Sequence, residues 1–437
     1  MMSHLNPSQR VAAGLHSPPS LSNSMSATQA AWRFYNNSNV RLTDLVGPLQ
    51  ACARADVPRN CDRRLLVPLD WTKLHYMNHD SKPDRVRLSQ SNDLGYDLLT
   101  ALAVSDRDGA PIAPLVMDLR ARDGVHTTRH DELRPADSPL DNLAAVMTAV
   151  RDLDLAKAPV FIIDREADSV AHYREWAETG IEYVVRANDR RLVLRDEDEC
   201  WLHDVSDALK REGAFKHSRR VAHKQTEAEQ YVAETTIVLH RPARQHRVDS
   251  TSGKARHHNV AGAPLPLRLV VSEVRNEAGK VLSRWLLLTN LPPSIKSGTV
   301  ALWYYWRWRI ESYHKLLKGA GQQIECWQQE SAGAVARRLL VAAMAAVVVW
   351  RLARDTSDEA DETRDLLIRL SGRQMKRGAK ARGFTEPALL AGLGTLITML
   401  DCLQEYTPAQ LRTMLKKAIP GLLPSNPTHK KHNYDDA

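Results

Sequence analysis

Short apolar runs, each closed by an acid or a turn, organise the first half of the chain. Residues 65–69 (Leu-Leu-Val-Pro-Leu) lead straight into Asp70, and residues 159–163 (Pro-Val-Phe-Ile-Ile) lead straight into Asp164. Uninterrupted apolar stretches of this length read as buried strands. Between them, the turn Asp106-Arg-Asp-Gly separates strands near 96–105 and 112–119. Helical patterns follow at 138–150 and 166–179, with a further strand near 182–187. Strand, hairpin, helix, strand, helix and strand build one mixed α/β sheet flanked by helices. Residues 190–295 switch to alternating β patterns, such as Tyr231-Val-Ala-Glu-Thr-Thr-Ile-Val-Leu and Leu267-Arg-Leu-Val-Val-Ser-Glu-Val, and read as an inserted β-subdomain. Residues 296–330 return to the core as a helix, and 331–417 read as all-helical. Residues 1–26 and 418–437 have the Ser/Pro-rich or polar composition of disordered tails, and 27–189 form the first part of the core.

Chemistry concentrates in the helical stretch from Tyr304 to Lys318. Tyr304, Arg307, Glu311 and Lys318 follow one another at steps of +3, +4 and +7, which puts them on one helical face. Such a stripe serves either as a solvated surface or as a carboxylate set between cations, suited to a metal ion beside a phosphate backbone. Asp70 and Asp164 end apolar strands, where open α/β sheets place their ligands. Asp70, Asp164 and Glu311 together make a hard-oxygen set with few ligands, which favours Mg2+ or Mn2+ and leaves room for substrate oxygens.

These residues carry a resemblance. The spacing Tyr-x2-Arg-x3-Glu-x6-Lys at Tyr304, Arg307, Glu311 and Lys318 resembles the signature of the insertion-sequence-four family of DDE transposases, a bacterial cut-and-paste group. Asp164-Arg-Glu-Ala-Asp is similar to the block around that family's second catalytic aspartate, and Asp70-Trp-Thr fits the first. Ala30-Ala-Trp-Arg-Phe-Tyr is similar to the segment ahead of the core, so the likeness covers about residues 27–350. The resemblance implies a ribonuclease-H-like core, with Asp70, Asp164 and Glu311 as catalytic metal ligands for Mg2+ or Mn2+. It also implies DNA contacts by Tyr304, Arg307, Lys318, Lys315 and Arg186, and a flipped base stacked on Trp285. For Trp285 the residue pattern alone leaves a core role open, and for Arg186 a plain surface role. The implied activity is nicking, hairpin formation and opening, and strand transfer on double-stranded DNA by a homodimer. Members of the family carry a helical end-recognition domain ahead of the Trp-Arg-Phe segment, where about 26 residues stand here. A shortened DNA-binding remnant and a structure-selective nuclease on the same fold are therefore the alternative expectations.

Composition adjusts this picture only modestly. The 437 residues can hold two or three domains, and 60 Lys and Arg against 52 Asp and Glu suit a polyanionic partner without requiring one. The basic stretch 241–258 reads as a solvated loop or one that tracks a phosphate backbone. Five scattered cysteines without metal spacing read as reduced thiols of a cytoplasmic protein, and the resemblance implies a bacterial, nucleoid-associated one. The apolar run 339–350 is too short to span a bilayer and reads as a buried helix.

Overall fold

The computed structural model describes residues 24–418, apart from 91, 136–139, 141, 224–225, 249–254, 320–321 and 374–382. Of the expected tails, residues 1–23 and 419–437 lie outside the described residues, as does the middle of the basic stretch, while residues 24–26 belong to a helix.

Helices α1 (Ser24–Asn36), α2 (Leu42–Leu45) and α3 (Gly47–Asn60) lead into β1 (Arg64–His75). There follow β2 (Val86–Arg87), β3 (Leu94–Ser105), β4 (Pro111–Ala121) and β5 (Gly124–Thr127), each antiparallel to its neighbour in the sheet. Gly109 makes the hairpin turn between β3 and β4 at φ +69°, and a Cβ there would meet the Trp306 ring at 2.5 Å. Both the left-handed backbone and the close aromatic packing require glycine at this point. Next come α4 (Leu143–Asp152), β6 (Ala158–Ile163), α5 (Val170–Glu178) and β7 (Glu182–Arg186). β6 lies parallel to both β1 and β7, and residues 160–163 are fully buried. The order β4-β3-β1-β6-β7, antiparallel strands followed by parallel ones, is compatible with a ribonuclease-H-like transposase core.

Most of the alternating segment joins the core sheet rather than building one of its own. It contains β8 (Leu192–Arg195), β9 (Asp198–Trp201), α6 (Leu202–Arg211), β10 (Lys216–His223), β11 (Thr226–Leu239), β12 (Ala243–Val248), β13 (Ala255–Val260), β14 (Leu265–Arg275) and β15 (Val281–Thr289). β15 hydrogen-bonds to β7 through Leu287 opposite Arg186, so the core sheet continues through β15, β14 and β11 into β8 and β9. The outcome is one 13-stranded sheet, with β12 and β13 paired on their own. The basic stretch expected as a loop is thus largely a β-hairpin.

Helices α7 (Ser297–Trp306) and α8 (Trp308–Lys318) return to the sheet, and α8 packs on β1 and β3. Helix α9 (Ala332–Arg354) starts at Ser331, whose hydroxyl accepts from the Ala334 amide, and packs on β4. At its far end Arg351 and Arg354 pair with Asp56 of α3, at 2.9 and 3.3 Å. Helices α10 (Asp358–Leu370), α11 (Glu386–Glu405) and α12 (Pro408–Ala418) complete the expected helical C-terminal region. The run 339–350 is the middle of α9, which, like α11, is long and apolar enough to cross a membrane by length and composition. In α9, 67% of that apolar stretch is buried inside the protein, as expected of a core helix. One apolar cluster, from Val46 to Leu390, unites the sheet with α9.

Candidate active site

Asp70 does not end its strand, since β1 runs on to His75. It lies instead just beyond the last pairing of β1 with β6, Leu69 opposite Ile163. Asp164 is the next residue after β6. Two carboxylates on adjacent parallel strands therefore stand at the same level, where the parallel pairing ends, although only Asp164 follows the end of its strand. Asp164 also caps the 3-10 turn Arg165–Ala167 by accepting from the Arg165 amide at 2.5 Å.

Glu311 reaches this level from α8. The stretch 304–318 is not a single helix: Arg307 joins α7 to α8 as a tight turn, with the Arg307 amide bonded to the Tyr304 carbonyl at 3.1 Å. Backbone angles at Arg307 remain right-handed (φ −49°, ψ −34°), so the stripe survives the junction. It faces inward rather than to water. Tyr304 and Arg307 are buried, and the Arg307 side chain is 5% exposed.

All three acids converge on that guanidinium. Nη1 lies 3.3 Å from Asp70, and Nη2 lies 3.4 Å from Asp164 and 2.8 Å from Glu311. Only the Glu311 contact is a formed hydrogen bond, and the buried Nε and Nη1 have no hydrogen-bond partner. Burial pushes the Asp70 carboxyl up to about 6, with Glu311 and Asp164 adding to the rise while Arg307 opposes it. For Arg307, burial works against the charge, but Tyr304 and the three carboxylates outweigh it and raise its pKa.

A second ring of groups surrounds the trio. The Tyr304 hydroxyl sits 3.4 Å from Asp164 Oδ1, and the charge of Arg186, the last residue of β7, acts on it. Burial holds this phenol up at about 12. The half-buried Trp285 of β15 packs edge-on against Tyr304, with ring centroids 5.2 Å apart. Arg186 and Trp285, separate in the sequence, thus meet at the site. Lys318 is brought elsewhere: its Nζ binds the Lys73 carbonyl and lies 3.3 Å from Glu325, which also accepts from the His75 amide. It fastens the end of β1, beyond Asp70. Lys315, four residues from Glu311 on the same helix, is exposed.

The sequence assigns no role to several neighbours. His314 is buried, 3.5 Å from Thr100, the β3 partner of Asp70; burial, then Lys318 and Arg307, lower it to about 3. Asp168 accepts from the Asn188 amide and Tyr173 hydroxyl, both at 2.8 Å, and pairs with Arg191 at 2.7 Å. It thereby ties the turn after Asp164 to the end of β7. A cleft of about 480 Å³, walled by Trp71, Lys73, Asp97 and Glu166, opens beside Asp70. Spacing within the Asp164-Arg-Glu-Ala-Asp block marks Asp168 as notable, whereas nothing in the sequence pairs Asp97 or Glu325 with the site.

Among the described residues, no three acidic, His or Cys side chains stand ready to enclose an ion. The all-carboxylate donor set nonetheless fits Mg2+ or Mn2+, and the shared position is filled by the Arg307 guanidinium.

Residues 138–348 match the family described as transposase DDE domain. The match supports a DDE transposase. It runs from the approach to α4 into α9 and holds Asp164, Arg186, Trp285, Tyr304, Arg307, Glu311 and Lys318, with Asp70 ahead of it. No curated protein matches the chain.

Proposed function

We propose that this chain is a DDE transposase of the insertion-sequence-four kind, moving a DNA segment by successive phosphoryl transfers. The observation that carries the proposal is the convergence of Asp70, Asp164 and Glu311 on one buried guanidinium, within and just ahead of a transposase DDE domain. Asp70, Asp164 and Glu311 would hold the divalent ions. Bound there, Mg2+ supplies an activated oxygen nucleophile and neutralises charge on the phosphate.

The protein's own groups do the rest. Arg307 and Arg186 supply cations, and the Tyr304 hydroxyl a hydrogen bond, to a phosphate drawn up to the carboxylates. Holding the scissile bond in line against its attacker contributes most of the rate in such transfers. Trp285, beside Tyr304, offers a ring face for a base turned out of the duplex, which lets the strand bend sharply enough for hairpin formation. Lys318, already paired with Glu325, holds β1 and hence Asp70 in place and reaches DNA only by leaving that pair. Lys315 adds an exposed cation for the flanking backbone. A homodimer joins two transposon ends in the bacterial cytoplasm.

The test is a strand-transfer assay with pre-cleaved duplex ends whose sequence is taken from the DNA flanking the gene. Joined products that need Mg2+ or Mn2+ and vanish in Glu311→Gln are expected. Cleavage without joining would instead identify a nuclease, and binding without either a DNA-binding remnant.

A further inference from the structure

The Arg307 guanidinium stands in contact with all three carboxylates at once, the position an ion would take. Among the described residues no other basic side chain lies within 4 Å of the trio, and Lys318 is engaged by Glu325. Three carboxylates without a cation would be costly to keep half-buried, so the guanidinium compensates the metal-free fold. Its seat is nevertheless poor. Nε and Nη1 lack hydrogen-bond partners, and two of the three contacts are longer than 3.2 Å. A guanidinium fixed for structure alone forms fork-like paired bonds, as Arg129 does with Asp118 at 2.8 and 3.3 Å.

Charge balance sets the consequence. Two divalent ions plus a guanidinium bring five positive charges against three carboxylates, an excess that an arriving phosphodiester would relieve. We propose that Arg307 is an internal stand-in for the metal, which keeps ions out of the DNA-free site and moves onto the DNA phosphate when the substrate arrives. Ion loading is then coupled to DNA binding, so the free enzyme carries no armed site. The inference rests on the trio being the metal site.

The test measures Mn2+ binding to the full-length protein by electron paramagnetic resonance of the free ion, with and without duplex DNA. Wild type, Arg307→Gln, Arg307→Lys and Glu311→Gln are compared, and the Glu311→Gln complex serves as the blank for ions held by DNA itself. Removing a unit charge a few ångströms away should tighten DNA-free Mn2+ binding by at least about tenfold in Arg307→Gln. Arg307→Lys should remain close to wild type. DNA should tighten Mn2+ binding markedly in wild type and much less in Arg307→Gln. Equal or weaker DNA-free binding in Arg307→Gln than in wild type overturns the proposal, as does wild-type Mn2+ affinity that ignores DNA, an arm that needs no variant to fold. Absence of Mn2+ binding above the Glu311→Gln blank in every protein, with and without DNA, would instead remove the metal-site reading beneath it.

Discussion

Two buried ionic clusters in this protein are built with opposite balances. Around Glu273, which is 0% exposed, one carboxylate receives two guanidiniums: Arg275 at 2.7 and 2.9 Å and Arg284 at 3.0 Å. Arg284 continues to Asp207, and Arg275 lies over the Tyr231 ring at 4.4 Å. Around Arg307, one guanidinium serves three carboxylates through a single formed hydrogen bond. The first cluster has both carboxylate oxygens bonded and holds β14 to β15. The second carries surplus negative charge, unused donors and an Asp70 carboxyl pushed up to about 6. A buried ionic group that is fully paired serves the fold, whereas one left short of cations is poised to take a cation from outside.

The contrast breaks most visibly if Glu311→Gln leaves cleavage intact. Losing this carboxylate should lower metal-dependent strand cleavage by about three orders of magnitude or more, with DNA binding retained and the melting temperature little changed. Denaturing gels and a melting curve read both. At the other cluster Glu273→Gln should behave in reverse. It leaves two guanidiniums sharing a neutral partner, so urea unfolding should show a loss of about 3–5 kcal/mol, while cleavage per folded molecule stays near wild type.

Asp70→Asn sharpens the comparison through pH. Because its folded-state pKa, about 6, lies above the ordinary carboxylate value, Asp70 favours folding fully below that ordinary range and loses this contribution as pH rises through 6. Without divalent ions, Asp70→Asn should therefore be more stable than wild type at pH 8, by about 3 kcal/mol, and equal to it below about pH 4. Melting temperature against pH measures this, and a less stable variant at pH 8 would contradict it. The smallest effect concerns Trp285→Ala. First-strand nicking should survive, and hairpin formation should weaken by about 1–3 kcal/mol of lost base stacking. Equal losses in both steps, or unfolding, would return Trp285 to a purely structural role.

How much of this was legible beforehand follows from what each signal encodes. The apolar runs before Asp70 and Asp164 were readable because burial on both faces leaves a continuous apolar stretch. Residues 304–318 were readable because helical spacing survives the tight turn at Arg307. The continuation of the core sheet into β15 and β14 was not, since alternation reveals which face is buried but not which strand pairs with which. Nor was the engagement of Lys318 by Glu325, a partner brought near by the turn at residues 324–326 rather than by helical spacing. The inward face of the stripe was invisible for the same reason: spacing puts Arg307 beside Glu311, and only tertiary packing brings Asp70 and Asp164 around it.

The most direct measurement is an anomalous-scattering map from crystals of the DNA complex soaked in Mn2+. A manganese peak among Asp70, Asp164 and Glu311, in direct coordination with their oxygens, with the Arg307 guanidinium displaced from between them, is the predicted result. A trio still closed around Arg307, with manganese bound elsewhere or not at all, would contradict the account.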